Sequence, residues 1–214
     1  MDSEQTTRVG DFRFKDLNND GRITDEDRTY LGSPLPDFVF GVPLNFRYSG
    51  LELSVFFQGQ TGNKIFNVMD YYLYNAGNGN VYADIREKHW SGQVAENRAF
   101  FPLNTSATVP DLDPDDAARN FRSSDFLVKD GSYVRLKELR LSYSFEPSLI
   151  KRLGLSSLVL SATAYNLLTF TKYDGFDPEV GKVDGTEGNN LNMGVDHGNY
   201  PQARSFTFGL KFGF

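Results

Sequence analysis

The chain has 214 residues, a formal net charge of −6 and no cysteine. The negative charge argues against a nucleic-acid partner, and the lack of cysteine excludes disulfides, thiol chemistry and cysteine-ligated metals. Aromatic residues make up 14% of the chain, yet no apolar run reaches the roughly 18 residues of a transmembrane helix. Many large rings among long polar stretches are typical of a membrane β-barrel.

Residues 1–36 are polar, and residues 16–27 within them fit the pattern of a calcium-binding loop. The expected ligands are Asp16, Asn18, Asp20, Arg22, Thr24 and Asp27. Arg22 would offer its backbone carbonyl, and Gly21 permits the sharp turn. The loop departs from the EF-hand, because its twelfth residue is Asp rather than Glu and no long helix flanks it. We predict a structural Ca²⁺ site; the alternative is an Asx-rich turn that binds no metal.

Residues 37–48 and 51–59 alternate between apolar and other side chains, which predicts two β-strands. Ser49-Gly50 between them predicts a tight hairpin turn. Each arm has about the 9–11 residues that a tilted strand needs to cross a bilayer. Pro43 cannot donate a ladder hydrogen bond, so a local bulge or irregularity is expected there.

Residues 60–125 read as a long irregular insertion, with one short helix expected over residues 67–74. Its aromatic side chains could stack on sugars, or pack the loop against itself or against a partner. They are Tyr71, Tyr72, Tyr74, Tyr82 and Trp90. The acidic run 111–116 could be a second cation site or a simple turn. The two histidines, His89 and His197, are far apart and are interpreted as solvated loop residues.

Three further strands are predicted over residues 132–145, 158–168 and 204–214. In residues 132–145 the alternation of apolar residues shifts by one position at Lys137-Glu138, which predicts a β-bulge. The last strand places Phe206, Phe208, Leu210, Phe212 and Phe214 on one face and smaller or polar residues on the other. An apolar wall backed by a polar wall suits a strand between lipid and a wet lumen.

The connections alternate between short (49–50, 146–156) and long (60–125, 170–202). In an antiparallel sheet this puts every long loop at one end, as in outer-membrane barrels with long extracellular loops and short periplasmic turns. Closed bacterial barrels have at least about eight strands and leave no open edge in lipid. We therefore expect about five strands of a larger barrel, and Met1 is not expected to be the natural start of the protein.

Several stretches, in order, resemble the C-terminal end of SusC/RagA-type TonB-dependent outer-membrane transporters. They are Gly10–Gly21, Gly32–Phe38, Leu53–Gly59, Lys129–Leu139, Asn166–Tyr173, Phe176–Glu179 and Tyr200–Phe214. The resemblance implies an all-β fold in which residues 37–214 are the C-terminal strands of a 22-stranded barrel in a Gram-negative outer membrane. Residues 1–36 would then be an extracellular segment that carries the calcium-type loop.

The same resemblance implies import of glycans, or in some members peptides, energised by a TonB complex and assisted by a SusD-like surface lipoprotein. TonB would act through parts that lie outside this sequence. No catalytic motif is present, so no enzyme activity is expected. The competing interpretation is a secreted β-sandwich carbohydrate-binding module with a calcium loop, in which the apolar faces would be buried against each other rather than exposed to lipid.

Overall fold

The computed structural model describes residues 8–91, 104, 106–113, 115–116, 119–180 and 193–214. The chain divides into two compact units. The first, here the loop unit, comprises Met1–Gly32 and Phe66–Lys129; the second, here the sheet unit, comprises Ser33–Ile65 and Asp130–Phe214. The domain boundary expected after residue 36 stays a prediction.

Eight strands are present among the described residues, five of them long. In chain order they are β1 (Phe38–Tyr48), β2 (Leu51–Thr61), β3 (Lys64–Asn67), β4 (Val128–Asp130), β5 (Tyr133–Ser144), β6 (Ser157–Thr171), β7 (Val195–Asp196) and β8 (Ser205–Gly213). The α-helices are short: α1 (Val68–Tyr74), α2 (Ile85–Lys88) and α3 (Pro147–Ile150). Single 3₁₀ turns lie at Asp25–Asp27, Ala76–Asn78, Asp125–Leu127 and Lys151–Leu153.

The long strands form one antiparallel sheet in the order β1-β2-β5-β6-β8, and the short strands form a second sheet in the order β4-β3-β7. All five long strands predicted from the sequence are confirmed. Ser49 and Gly50 join β1 to β2 with φ of 46° and 82°, as expected for a tight hairpin turn with two left-handed residues. Because each long strand pairs with its predecessor, the two short connections lie at one end of the sheet and the two long ones at the other, as predicted.

The strand register puts the apolar side chains of all five long strands on one face. One row across the sheet reads Phe46, Leu53, Leu141, Ala162, Phe208. The neighbouring row, on the opposite face, reads Asn45, Ser54, Arg140, Thr163, Thr207. The apolar face is open: Phe208 keeps 82% of its accessible surface and Phe46 keeps 58%. The apolar sheet face is therefore exposed, as a lipid-facing wall requires.

The bulge predicted in the third long strand is confirmed, since the β5–β6 register shifts between Leu136 and Glu138. On the facing strand Asn166 has a φ of 51°. The irregularity predicted at Pro43 is wrong: the β1–β2 register runs unbroken through the pair Pro43–Phe56. In an antiparallel pair only every second residue donates its N–H to a given neighbour, so a proline can lie in the ladder without shifting the register.

The loop unit has a hydrophobic core of its own, which the sequence did not predict. Tyr74, Ile85, Val109 and Phe121 are buried together. The predicted short helix is confirmed as α1, and the Asn67 side chain caps it by accepting from the N–H of Met69 at 3.0 Å. The interpretation of His89 as solvated is wrong, because it is 2% exposed and its Nδ1 lies 2.6 Å from the carbonyl oxygen of Ile85.

The segment before β1 shares this core within the loop unit. The rings of Phe12 and Phe126 lie 4.9 Å apart, and the Phe12 N–H donates to Oδ1 of Asn120 at 2.8 Å. Gly10 has a φ of +107°, and a Cβ there would meet the Trp90 ring at 2.4 Å. Glycine is required at this position, because only glycine allows both that backbone conformation and the close approach of the indole.

Candidate functional site: the polar sheet face

The face opposite the apolar wall carries the polar side chains of the five long strands. Arg47 and Glu52 form an ion pair at 3.2 Å across the first hairpin. Arg140, on β5, is exposed in the middle of the row of hydroxyl and amide side chains described above. In a barrel wall, such a face lines the wet lumen.

A buried arginine on β5 holds the long connection between β6 and β8. Arg135 is 2% exposed and its guanidinium has three partners. Nε donates to Oγ1 of Thr169 at 2.8 Å, Nη1 to Glu179 at 2.7 Å and Nη2 to Asp177 at 2.6 Å. The planar fork of arginine suits two carboxylates at once. We call Arg135, Lys137, Asp177 and Glu179 the loop clamp.

Asp177 joins two separate parts of that connection. Its Oδ1 also accepts the N–H of Glu179 at 2.9 Å, and its Oδ2 accepts the N–H of Gln202 at 2.9 Å. Burial alone would raise the pKa of Asp177, but these two N–H groups and the Arg135 guanidinium hold it below its ordinary value. The carboxylate therefore stays charged at neutral pH.

A second buried carboxylate orders the chain between β7 and β8. Asp196 is fully buried; it accepts the Tyr173 hydroxyl at 2.5 Å and the N–H groups of Gly198 and Asn199 at 2.8 and 2.9 Å. Both carboxylates thus replace backbone hydrogen bonds that this irregular segment lacks.

Lys137 joins the clamp from the same face as Arg135, two residues earlier on β5. Its Nζ lies 2.8 and 3.1 Å from the two carboxylate oxygens of Glu179. The β-bulge follows at this point: the register shift leaves Lys137 outside the ladder and puts Glu138 on the polar face as well, before the apolar phase resumes at Leu139.

Sequence reasoning did not identify the clamp as a site. Two features of the sequence point toward the clamp. Arg135 lies in the polar phase of an alternating strand, and the Phe176–Glu179 stretch is part of the resemblance. What could not be found was the pairing itself, because the partners of Arg135 lie 42 and 44 residues away in sequence.

The calcium-type loop is folded around its own carboxylates. Asp16 accepts the N–H of Asn19 at 2.6 Å with one oxygen and that of Gly21 at 2.8 Å with the other. Asp27 closes the loop by accepting the N–H groups of Leu17 and Thr24 at 2.7 and 2.8 Å.

The intermediate ligand positions point back along the same loop. Asn18 Oδ1 accepts the N–H of Asp20 at 3.0 Å, and Asp20 Oδ1 accepts the N–H of Arg22 at 2.8 Å. The hydroxyl of Thr24 accepts the N–H of Glu26 at 3.2 Å. All six predicted ligand residues therefore lie in one tight loop, with Gly21 at a φ of +81° as the pattern requires.

The six predicted ligand residues fit a hard cation only in part. N–H groups of Thr24, Leu17 and Asn18, together with contact to the Asp16 carboxyl, hold the pKa of Asp27 below its ordinary value, so the first and twelfth positions lie close together. Within the described residues, however, no group of three or more His, Asp or Glu side chains is placed to hold a metal ion. The described part of the acidic run 111–116 likewise contains no such group.

The aromatic residues of the long insertion divide into two groups. Tyr74 and Tyr82 pack together with ring centroids 4.7 Å apart, and Trp90 covers Gly10. Tyr71 and Tyr72 are exposed, edge to face at 5.3 Å. Packing of the insertion against itself therefore accounts for Tyr74 and Tyr82, whereas Trp90 packs on the segment before β1 within the loop unit.

None of the helices in the described part of the chain has the length and apolar composition needed to span a bilayer. The five long strands form one sheet with an exposed apolar face and a polar face. No protein-family profile matches the chain.

Individual proteins do match it. The chain is 38% identical to TonB-dependent receptor P3 of Formosa agariphila over 204 residues, which are 94% of this chain and 19% of the relative. It is 32% identical to TonB-dependent receptor P26 of the same organism, over 96% of this chain and 20% of the relative. It is 28% identical to the TonB-dependent receptor SusC of Bacteroides thetaiotaomicron, over 94% of this chain and 17% of the relative.

Solved structures also match the chain. A structure of the RagAB peptide transporter matches with a TM-score of 0.64 and 26% identity, over 86% of this chain and 18% of that chain. A structure of the RagAB peptide importer in a "closed-closed" state matches with a TM-score of 0.67 at 24% identity, over 90% of this chain and 19% of that chain, and shows the fold.

The resemblance to SusC/RagA-type TonB-dependent transporters is thus confirmed, and the chain spans about a fifth of the length of the curated relatives it matches. The fold class and the location are confirmed as well: the long strands are part of an integral β-barrel of the outer membrane. These relatives are receptors and transporters, and the chain is not an enzyme. The β-sandwich alternative is wrong, because the apolar sheet face is exposed rather than buried.

Proposed function

We propose that this stretch of chain forms part of the wall of a TonB-dependent transporter that imports glycans or peptides. The observation that carries the proposal is the sheet with an open apolar face and a polar face, in a chain similar to SusC and to the RagAB peptide transporter. The polar face would line the path of the solute, and a SusD-like surface lipoprotein would be the partner at the long-loop end. TonB would supply the coupling to energy through other parts of the receptor.

Uptake by intact cells tests this proposal. Deleting the gene should abolish growth on one class of solute, glycan or peptide, when that class is the sole carbon or nitrogen source. Dissipating the proton gradient should stop uptake of a labelled form of the same solute in wild-type cells. Unchanged growth of the deletion strain on every glycan and peptide tried would overturn the transport proposal.

We propose further that residues 16–27 bind Ca²⁺ and that the ion orders the segment before β1. The ligand spacing, the turn at Gly21 and the proximity of the Asp16 and Asp27 carboxylates support this. Calcium would require Asp16 and Asp20 to exchange some of their present backbone partners for the ion.

Protease digestion of the purified receptor tests the calcium proposal. EDTA should expose the segment to cleavage in wild type, and an Asp16→Ala, Asp20→Ala variant should be cleaved with or without EDTA. An Asp25→Ala variant, which changes an acid outside the ligand set, should behave as wild type. Equal resistance of all three proteins in both conditions would exclude calcium as the ordering agent.

A further inference from the structure

The two carboxylates on Arg135 are held in different ways. Asp177, with 5% of its side chain exposed, accepts two backbone N–H groups besides the guanidinium. Glu179 has 29% of its side chain exposed, and the contacts seen for its carboxylate in the described part of the chain are to the cations of Arg135 and Lys137. Asp177 is therefore part of the fold of the connection, whereas the Glu179 carboxylate is held by the two cations.

The two cations form a site shaped for one carboxylate. Arg135 Nη1 and Lys137 Nζ approach the same Glu179 oxygen at 2.7 and 2.8 Å, and Lys137 reaches the second oxygen at 3.1 Å. The Arg135 side chain is 2% exposed and that of Lys137 is 21% exposed, so neither charge is fully solvated. Without Glu179 these two cations would face Asp177 alone, and an uncompensated buried charge is strongly unfavourable.

We propose that Arg135 and Lys137 form a carboxylate-binding site in the barrel wall, and that Glu179 is the internal ligand that fills it. A free carboxylate takes the same place when Glu179 is withdrawn. The connection between β6 and β8 is then held at two points of different character. The inner point, at Asp177, is fixed by backbone hydrogen bonds, and the outer point, at Glu179, is an exchangeable ion pair.

Chemical rescue in the receptor purified in detergent micelles tests this site. Glu179→Ala removes the contacts of both cations to the Glu179 carboxylate and should speed hydrogen exchange in residues 173–180 by at least about tenfold, since one charge-assisted hydrogen bond alone contributes about that much. Acetate should restore most of the protection, and chloride at the same ionic strength should not. Adding Lys137→Met to Glu179→Ala should remove the response to acetate, because the second cation is gone.

Two further variants serve as controls for this experiment. Glu146→Ala alters an exposed glutamate in the short β5–β6 connection and should neither loosen residues 173–180 nor respond to acetate. If Glu179→Ala fails to insert into membranes, Glu179→Gln keeps the shape and removes only the charge. Unchanged exchange in the Glu179 variants, equal rescue by chloride, or rescue that persists without Lys137 would each overturn the proposal.

Discussion

The five-stranded sheet and the loop unit place their apolar side chains in opposite ways. The sheet leaves one complete apolar face open, with Phe208 82% exposed, because lipid rather than protein covers it. The loop unit buries Tyr74, Ile85, Val109 and Phe121 against one another, as a water-soluble domain does. One chain therefore carries two hydrophobic patterns, a periodic one for lipid and a non-periodic one for a small internal core.

We expect the largest loss of stability from a substitution in the loop clamp, which is made of charged side chains and so belongs to neither hydrophobic pattern. Arg135→Met leaves Asp177 and Glu179 without their main partner, and breaking a buried ion pair on one side costs about 3–5 kcal/mol. Arg47→Met breaks an exposed pair with Glu52 and should cost about 1 kcal/mol or less. Urea unfolding in lipid vesicles measures both. Equal effects of the two substitutions would mean that burial of Arg135 contributes nothing to stability.

A charge on the lipid face should have the next largest effect. Ala162→Arg puts a cation in the middle of the apolar row of β6, which costs about 2–4 kcal/mol near the bilayer midplane. Thr163→Arg, one residue later, puts the same charge on the polar face and should cost much less. Comparing the folded fraction of the two variants in vesicles tests the assignment of the faces, and a reversed order would show that they are exchanged.

A smaller effect is expected in the loop unit. Asn67→Ala removes the side chain that caps α1 through the N–H of Met69, which typically costs about 1 kcal/mol. Glu146→Ala is the matched control, because Glu146 precedes α3 at its N-cap position and makes no side-chain cap hydrogen bond. Local hydrogen exchange in α1 should rise in the first variant, and exchange in α3 should stay nearly unchanged in the second. The same change in both helices would argue against capping as the cause.

The sheet could be predicted from the sequence because a period of two is a local signal. Each long strand, the hairpin at Ser49-Gly50 and the bulge at Lys137-Glu138 follow from neighbouring residues. The wrong expectation at Pro43 has the same origin, since a local rule does not show to which neighbouring strand the N–H of a given residue points.

The clamp and the loop core could not be predicted because they depend on distant contacts. Phe12 meets Asn120 across 108 residues, and Arg135 meets Glu179 across 44. Nothing in the sequence around His89 distinguishes a solvated histidine from one buried beside Ile85. For the calcium-type loop the ligand set stays a prediction, because the oxygens of Asp16 and Asn18 accept backbone N–H groups of the same loop and, in the described residues, no group of three or more acidic side chains converges there.

We expect the smallest effect on stability from a change of pH. Whether acid strengthens or weakens the clamp follows from the pKa of Asp177. A carboxyl whose pKa is lowered in the folded state contributes stability above its unfolded pKa, about 4, and loses it as pH falls through the folded pKa. Hydrogen bonds from Gln202 and Glu179 and the charge of Arg135 lower the pKa of Asp177 despite its burial.

The loop clamp should therefore be unchanged between neutral pH and about pH 5, and should loosen only in stronger acid. Hydrogen exchange of the Gln202 amide, followed across that range and corrected for intrinsic rates, measures this directly. An Asp177→Asn variant keeps the shape without the charge and should show no further loosening in acid. Loosening of the wild-type clamp near neutral pH would mean that another titrating group controls the connection.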